Sequence, residues 1–146
     1  MDEPRRLRIA GLHHVTVLCE SLERSTALYR NLLGMRMVRQ TVSDDDPEAR
    51  HLIFGDDHGS RGTLITCLEY PQLEKGTVGV GSTHHFALAV ESEEELRAWR
   101  DYLNAQGAPC TDVLERDFSK SIYLRDPDGH LVELATSAAR LVPDEG

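Results

Sequence analysis

Two histidine pairs and one isolated glutamate are the residues of this sequence best suited to chemistry. His13-His14 recurs as His84-His85, a displacement of 71 residues. Glu133 stands alone in the apolar run Leu131-Val132-Glu133-Leu134-Ala135. A carboxylate in such a run is costly unless something pairs with it, and a metal cation does so well. Imidazole and carboxylate donors together suit zinc, nickel, manganese or ferrous iron. Two histidines and one carboxylate also leave coordination positions open, which is the donor set of non-haem ferrous sites. His14, His85 and Glu133 are therefore the candidate metal ligands. A lone histidine on a strand is ordinarily a packing residue; equivalence under a repeat, with a carboxylate in an apolar run, reverses that expectation. His51, His58 and His130 lack such support and are read as structural.

The elements that must position these donors come as a repeat. Leu12-His13-His14-Val15-Thr16-Val17 and Thr83-His84-His85-Phe86-Ala87-Leu88 each alternate as a strand does. Glu20-Ser21 and Glu91-Ser92 follow at the same offset and predict helix caps. The helices are expected over Leu22–Leu33 and Glu93–Gln106, ending at Gly34 and Gly107. Three short strands follow each helix: Met35–Ser43, His51–Phe54 and Thr63–Leu68 in the first half, then Pro109–Leu114, Ser121–Leu124 and Leu131–Thr136 in the second. Asp56-Asp57-His58-Gly59 and Asp126-Pro127-Asp128-Gly129 mark turns between them. The reading is an α+β chain of two βαβββ modules, residues 8–70 and 83–138, joined by a linker over 71–82 and together forming one domain. In this alignment Thr66 falls opposite Glu133. Glu69 lies three residues further on, an odd offset that turns it to the other face of its strand.

Bulk properties narrow the function classes. A chain of 146 residues is long enough for a core without staples. A formal net charge of −9 disfavours nucleic acid and anionic membranes as partners. No apolar stretch approaches the roughly 20 residues needed to cross a bilayer, and no charged-then-apolar leader precedes the first strand, so a cytoplasmic location is expected. Cys19, Cys67 and Cys110 form no CxxC pair and are read as reduced packing thiols. The ends, MDEPRR and LVPDEG, are expected to fray.

Over nearly its whole length the chain resembles the vicinal-oxygen-chelate superfamily, which includes glyoxalase I, extradiol ring-cleaving dioxygenases and the bleomycin and fosfomycin resistance proteins. The resemblance rests on Leu12-His13-His14-Val15-Thr16, on Tyr29 with Leu32-Leu33-Gly34, and on Asp126-Pro127-Asp128-Gly129-His130-Leu131-Val132-Glu133-Leu134. Arg39-Gln40-Thr41-Val42 before Asp45-Asp46-Pro47, His51-Leu52-Ile53-Phe54-Gly55-Asp56 and Gly62-Thr63-Leu64-Ile65-Thr66 are similar to the hydroquinone-cleaving dioxygenases of that superfamily.

That resemblance implies a cupped, mixed-sheet fold and iron(II) held by His14, His85 and Glu133. Nickel, zinc and manganese are the alternatives. It places His13, Arg116 and Tyr123 beside the metal, with His13 or Tyr123 handling protons and Arg116 stabilising negative charge. The partners implied are a dihydroxylated aromatic of hydroquinone or catechol type and dioxygen. A stacking pocket would draw on Phe54, Phe86 and Phe118. The hydroquinone enzymes carry four such modules and this chain two, so a homodimer is expected, since two modules alone leave sheet edges to cover. Two rival readings stand beside this one. A glyoxalase-like isomerase or lyase would use nickel or zinc and Glu69 as a fourth ligand. A drug-sequestering binding protein would carry no chemistry at all, and the histidine pair argues against it.

Overall fold

A computed structural model of the chain describes residues 5–137 and Leu141. The expectation of frayed ends concerns residues that lie largely outside that range, as does the last residue of the second expected module. The chain divides into two compact units, Met1–Gln72 and Leu73–Gly146.

The first unit runs β1 (His14–Cys19), α1 (Leu22–Thr26), β2 (Arg36–Val42), β3 (Arg50–Gly55) and β4 (Leu64–Glu69). Its strands form one sheet in the order β1-β4-β3-β2, with β1 and β4 parallel and the other pairs antiparallel. Ser21 caps α1 from an extended conformation, its Oγ accepting from the Arg24 N–H at 3.3 Å. The helix does not continue as α to Leu33. From Ala27 to Leu32 it widens into a π-helix, in which the Leu33 N–H donates to the Leu28 carbonyl at 2.8 Å. The Ser25 and Thr26 hydroxyls donate back to the carbonyls of Ser21 and Leu22 just before this junction, and such side-chain bonds compete with regular helix geometry. The widened turn presses Leu28 and Tyr29 inward, and the Tyr29 ring packs tilted against Phe54 at 5.8 Å.

Period-two alternation gives the sheet two unlike faces. Val17, Cys19, Ile65, Cys67, Leu52 and Phe54 share the helix side with Leu22, Leu28 and Tyr29 and form the core. His14, Thr16, Leu64, Thr66, Leu68, Ile53 and His51 share the other face. Phe54 is fully buried on the helix side, so it is a core residue and not part of a pocket on the His14 face.

The second unit repeats the plan with β5 (Phe86–Ala89), α2 (Glu93–Ala105), β6 (Leu114–Glu115), β7 (Ser119–Arg125) and β8 (Leu131–Ser137), in the sheet order β5-β8-β7-β6. The β5–β8 pair is parallel and the rest antiparallel. Ser92 caps α2 by accepting from the Glu95 N–H at 3.1 Å, and Glu93, Glu94 and Glu95 suit the positive end of the helix. Leu96 and Leu103 of α2 pack inward, as do Ile122, Leu124, Val132 and Leu134 of the sheet.

The strand expected over Pro109–Leu114 shrinks to two residues and a single bridge between Cys110 and Leu124. Here the chain satisfies itself locally: Asp112 Oδ1 accepts from the Val113 N–H and from Arg100, and Asn104 Oδ1 accepts from the Cys110 N–H. The predicted turn at Asp126–Gly129 forms with Asp126 Oδ1 accepting from the N–H groups of Asp128 and His130 and with Gly129 at φ 91°. Among the described residues no helix is long and apolar enough to cross a membrane.

The two registers settle the repeat at residue level. Thr16 pairs with Thr66 in the first unit and Ala87 with Glu133 in the second, so Thr66 occupies the place of Glu133. By the same logic Ile53 matches Tyr123 and His51 matches Ser121.

Candidate metal centre

The histidine pairs fold identically in the two units. Nδ1 of His13 lies 3.0 Å from Nδ1 of His14 with the rings edge-on, and Nδ1 of His84 lies 2.8 Å from Nδ1 of His85 in the same arrangement. One ring of each pair must donate and the other accept. If Nε2 of His14 or His85 is to offer its lone pair to a metal, its Nδ1 carries the proton and donates to the preceding histidine. In that case each preceding histidine would fix the tautomer of its neighbour, the usual task of a group behind a metal-bound imidazole. In the first unit the Gly62 N–H donates to the His13 carbonyl at 2.7 Å and ties this corner to the β4 approach.

In the second unit the imidazole meets its carboxylate. Nε2 of His85 lies 2.8 Å from Oε1 of Glu133. Glu133 is only 7% exposed although it sits mid-strand in β8, and its backbone is flanked by Ala87 on one side and Tyr123 on the other. Metal–nitrogen and metal–oxygen bonds of about 2.0–2.2 Å set at right angles would separate their two donor atoms by roughly 3 Å. The His85–Glu133 spacing therefore suits one edge of a coordination polyhedron as well as it suits a hydrogen bond. The donor set fits a divalent ion.

Tyr123 and Arg116 gather at the same place. The Tyr123 ring stands edge-on to His85 at 6.0 Å. Nε of Arg116 donates to the Tyr123 hydroxyl at 3.2 Å, and its guanidinium lies 5.2 Å from the ring centre. A phenol held by a cation next to an imidazole–carboxylate pair is equipped to donate or accept a proton and to steady developing negative charge. Of the aromatic residues proposed for a pocket, Phe86 pairs with Val132 and so faces away from Glu133, and Phe118 is exposed in the turn before β7.

Glu69 takes no part in this face. Paired with Cys19, it lies on the opposite side of β4 from Thr66, where it accepts from the Leu22 N–H at 2.9 Å and from Nε and an Nη of Arg50 at 2.9 and 2.8 Å. The Arg50 guanidinium, through those hydrogen bonds, holds its carboxyl below the ordinary carboxylate value. Glu69, which the isomerase reading needs as a fourth ligand, is instead engaged in an ion pair with Arg50 and a hydrogen bond that ties β4 to the start of α1.

Two residues with no role in the sequence reading also stand on the faces of His14 and Glu133. Ser121 of β7 donates to Oε2 of Glu133. His51 of β3, read above as structural, shares the face of His14, and its Nε2 is buried with no hydrogen-bond partner among the described residues; burial holds its ring below the ordinary histidine range. The signal for both was register, which fixes the face of a strand residue only once its partners are known. A further group, Asp126, Asp128 and His130, brings three ligand-type atoms within 4.8 Å of one another. Asp126 Oδ1 already accepts from two backbone N–H groups there, so the cluster is the DPDGH turn itself. Cys19 and Cys67 are buried free thiols, and burial raises the Cys110 thiol above its ordinary value.

Comparison with known proteins bears on the family and the fold. The Glyoxalase/Bleomycin resistance protein/Dioxygenase superfamily matches residues 11–134. The Bacillus subtilis protein named "Putative ring-cleaving dioxygenase MhqO" is 32% identical over 85% of this chain and 39% of its own length. Chlorohydroquinone/hydroquinone 1,2-dioxygenase of Sphingobium indicum is 31% identical over 83% of this chain and 38% of its own. The chain thus spans about two fifths of the length of these relatives. A glyoxylase/bleomycin resistance protein/dioxygenase domain from Frankia sp. EAN1pec superposes with a TM-score of 0.74 at 20% identity, over 89% of this chain and 99% of that one. With its doubled βαβββ units, the histidine pair that leads into each and a family match that runs through both, this chain belongs to the Glyoxalase/Bleomycin resistance protein/Dioxygenase superfamily.

Proposed function

We propose that the chain acts as a metal-dependent ring-cleaving dioxygenase on a dihydroxylated aromatic of hydroquinone or catechol type. The observation that carries this reading is the buried Glu133 carboxylate 2.8 Å from His85 Nε2, with Tyr123 and Arg116 alongside. The names of the relatives at 31–32% identity support it. His85 and Glu133 would hold iron(II), and His14, the repeat equivalent of His85, is the third donor in this reading. Bound there, the ion would bring the diol and dioxygen onto neighbouring positions and supply the electron transfer between them.

The chain's own residues handle protons and charge. The Tyr123 hydroxyl, held by Arg116, exchanges a proton with the substrate hydroxyl. Arg116 balances negative charge that grows on substrate oxygen. His13 orients His14 and serves as a second proton carrier. Each four-stranded sheet, taken by itself, ends in strands paired on one side only, and we include a homodimer in the proposal because a second copy is the simplest way to cover such edges.

Glu69, the fourth ligand that the isomerase alternative calls for, is committed to Arg50, which favours the dioxygenase reading. The test is direct: protein loaded anaerobically with iron(II) is given hydroquinone, catechol and substituted diols while oxygen consumption is followed. Substrate-dependent uptake with loss of the aromatic absorbance is expected. No uptake across the panel by protein shown to hold iron would discard the reading.

A further inference from the structure

We propose that Ser121, backed by Ser119, is a positioning residue that decides which oxygen of Glu133 is presented to the metal; the proposal rests on the reading of Glu133 as a ligand. Ser121 Oγ lies 2.5 Å from Oε2 of Glu133, and Ser119 Oγ lies 3.0 Å from Ser121 Oγ. Both serines are buried, Ser121 completely. An ionised carboxylate only accepts hydrogen bonds, so Ser121 is the donor, and its own oxygen is then free to accept from Ser119. The polarity of the chain is thereby fixed as Ser119 to Ser121 to Glu133, with each bond polarising the next. With Oε2 occupied, Oε1 alone faces His85 Nε2. Glu133 is thus a one-oxygen ligand with a fixed carboxylate plane, and the coordination position a two-oxygen carboxylate would cover stays open for substrate.

The first unit serves as an internal comparison. Register puts His51 at the place of Ser121 and Thr66 at the place of Glu133, and Ala49, two residues before His51, falls at the place of Ser119. Thr66 there donates to Thr16 at 2.7 Å. The repeat that lacks the carboxylate therefore lacks the serine pair as well. Small residues chosen only to fit against a sheet face would not need to track the carboxylate in this way.

The experiment is a cobalt(II) titration of metal-stripped protein, read by visible ligand-field absorption, with wild type, Ser121→Ala, Ser119→Ala and Glu133→Gln compared and folding checked by thermal melts. Ser121→Ala should weaken cobalt binding about 10- to 100-fold and alter the absorption envelope, since the freed carboxylate can turn or bind through both oxygens. Ser119→Ala should give a smaller shift in the same direction. A Ser121→Ala protein with wild-type affinity and an unchanged spectrum would overturn the positioning role. Wild type that binds no cobalt, or Glu133→Gln that binds as tightly as wild type, would instead overturn the ligand assignment on which the proposal stands.

Discussion

At the residue scale, the case turns on a carboxylate that is 93% hidden in the middle of a strand and whose hydrogen-bond partners among the described residues are a histidine and a serine, not a lysine or arginine. Burying a carboxylate beside neutral groups is unfavourable by several kcal/mol, and a divalent cation reverses that balance. Replacing His85 by alanine or Glu133 by glutamine should therefore lower iron(II) affinity by more than about 100-fold, measured by equilibrium dialysis under argon; retention at wild-type level would remove the residue from the ligand set. Tyr123 occupies a different role, because its hydroxyl is held by Arg116 rather than aimed at a carboxylate. Tyr123→Phe should keep the metal and lose turnover by about 100-fold, the lower range for a positioned acid or base. A Tyr123→Phe enzyme with normal oxygen uptake would make the phenol a packing residue.

At the element scale, the parallel pairing of the first and last strand of each unit brings the strand that starts at or just after a histidine pair beside the strand that carries the carboxylate or its threonine replacement. The same pairing sends Glu69 to the helix side, where it joins Arg50 and the Leu22 N–H and so fixes the start of α1. Glu69→Gln should cost about 1–2 kcal/mol of stability, the usual loss for a part-buried charged hydrogen bond, yet leave metal affinity untouched. The sign with pH follows from the lowered carboxyl. Its contribution is complete above the ordinary value of 4.5 and disappears as pH falls through the lowered one. Urea melts from pH 7 to 3 should thus show wild type and variant converging on the acid side; a constant gap would mean the ion pair is not the source. Both helix starts were legible in the chain as Glu-Ser before an apolar run, because a cap is a contact within one turn. The π-helical widening was not, since it depends on how far Leu28 and Tyr29 must reach into a sheet built from distant residues.

At the scale of the whole molecule, the proposed site would take its donors from separate parts of the polypeptide, His85 and Glu133 lying 48 residues apart, and so would link metal binding to folding. Iron(II) or cobalt(II) at about 100 times its dissociation constant should stabilise the native protein by about 2.7 kcal/mol, seen as a rise in melting temperature that a chelator reverses; a melting curve indifferent to metal would contradict a site built this way. The duplication, the paired histidines at the start of each unit, both caps, the DPDG turn and the odd offset of Glu69 were all legible in the amino-acid order alone, although β5 begins only at Phe86, after its histidine pair. Each depends on spacing between near neighbours or on a pattern repeated after 71 residues. Tertiary structure decided what strand partnership controls: that Phe54 belongs to the core beside Tyr29, that residues 109–114 bond partly to Asn104 and Arg100 of α2 instead of forming a full strand, that His51 shares the His14 face, and that Ser119 and Ser121 stand behind Glu133. A side chain's neighbours across a sheet are set by register between strands far apart in the chain, and no local pattern encodes which partner will lie opposite.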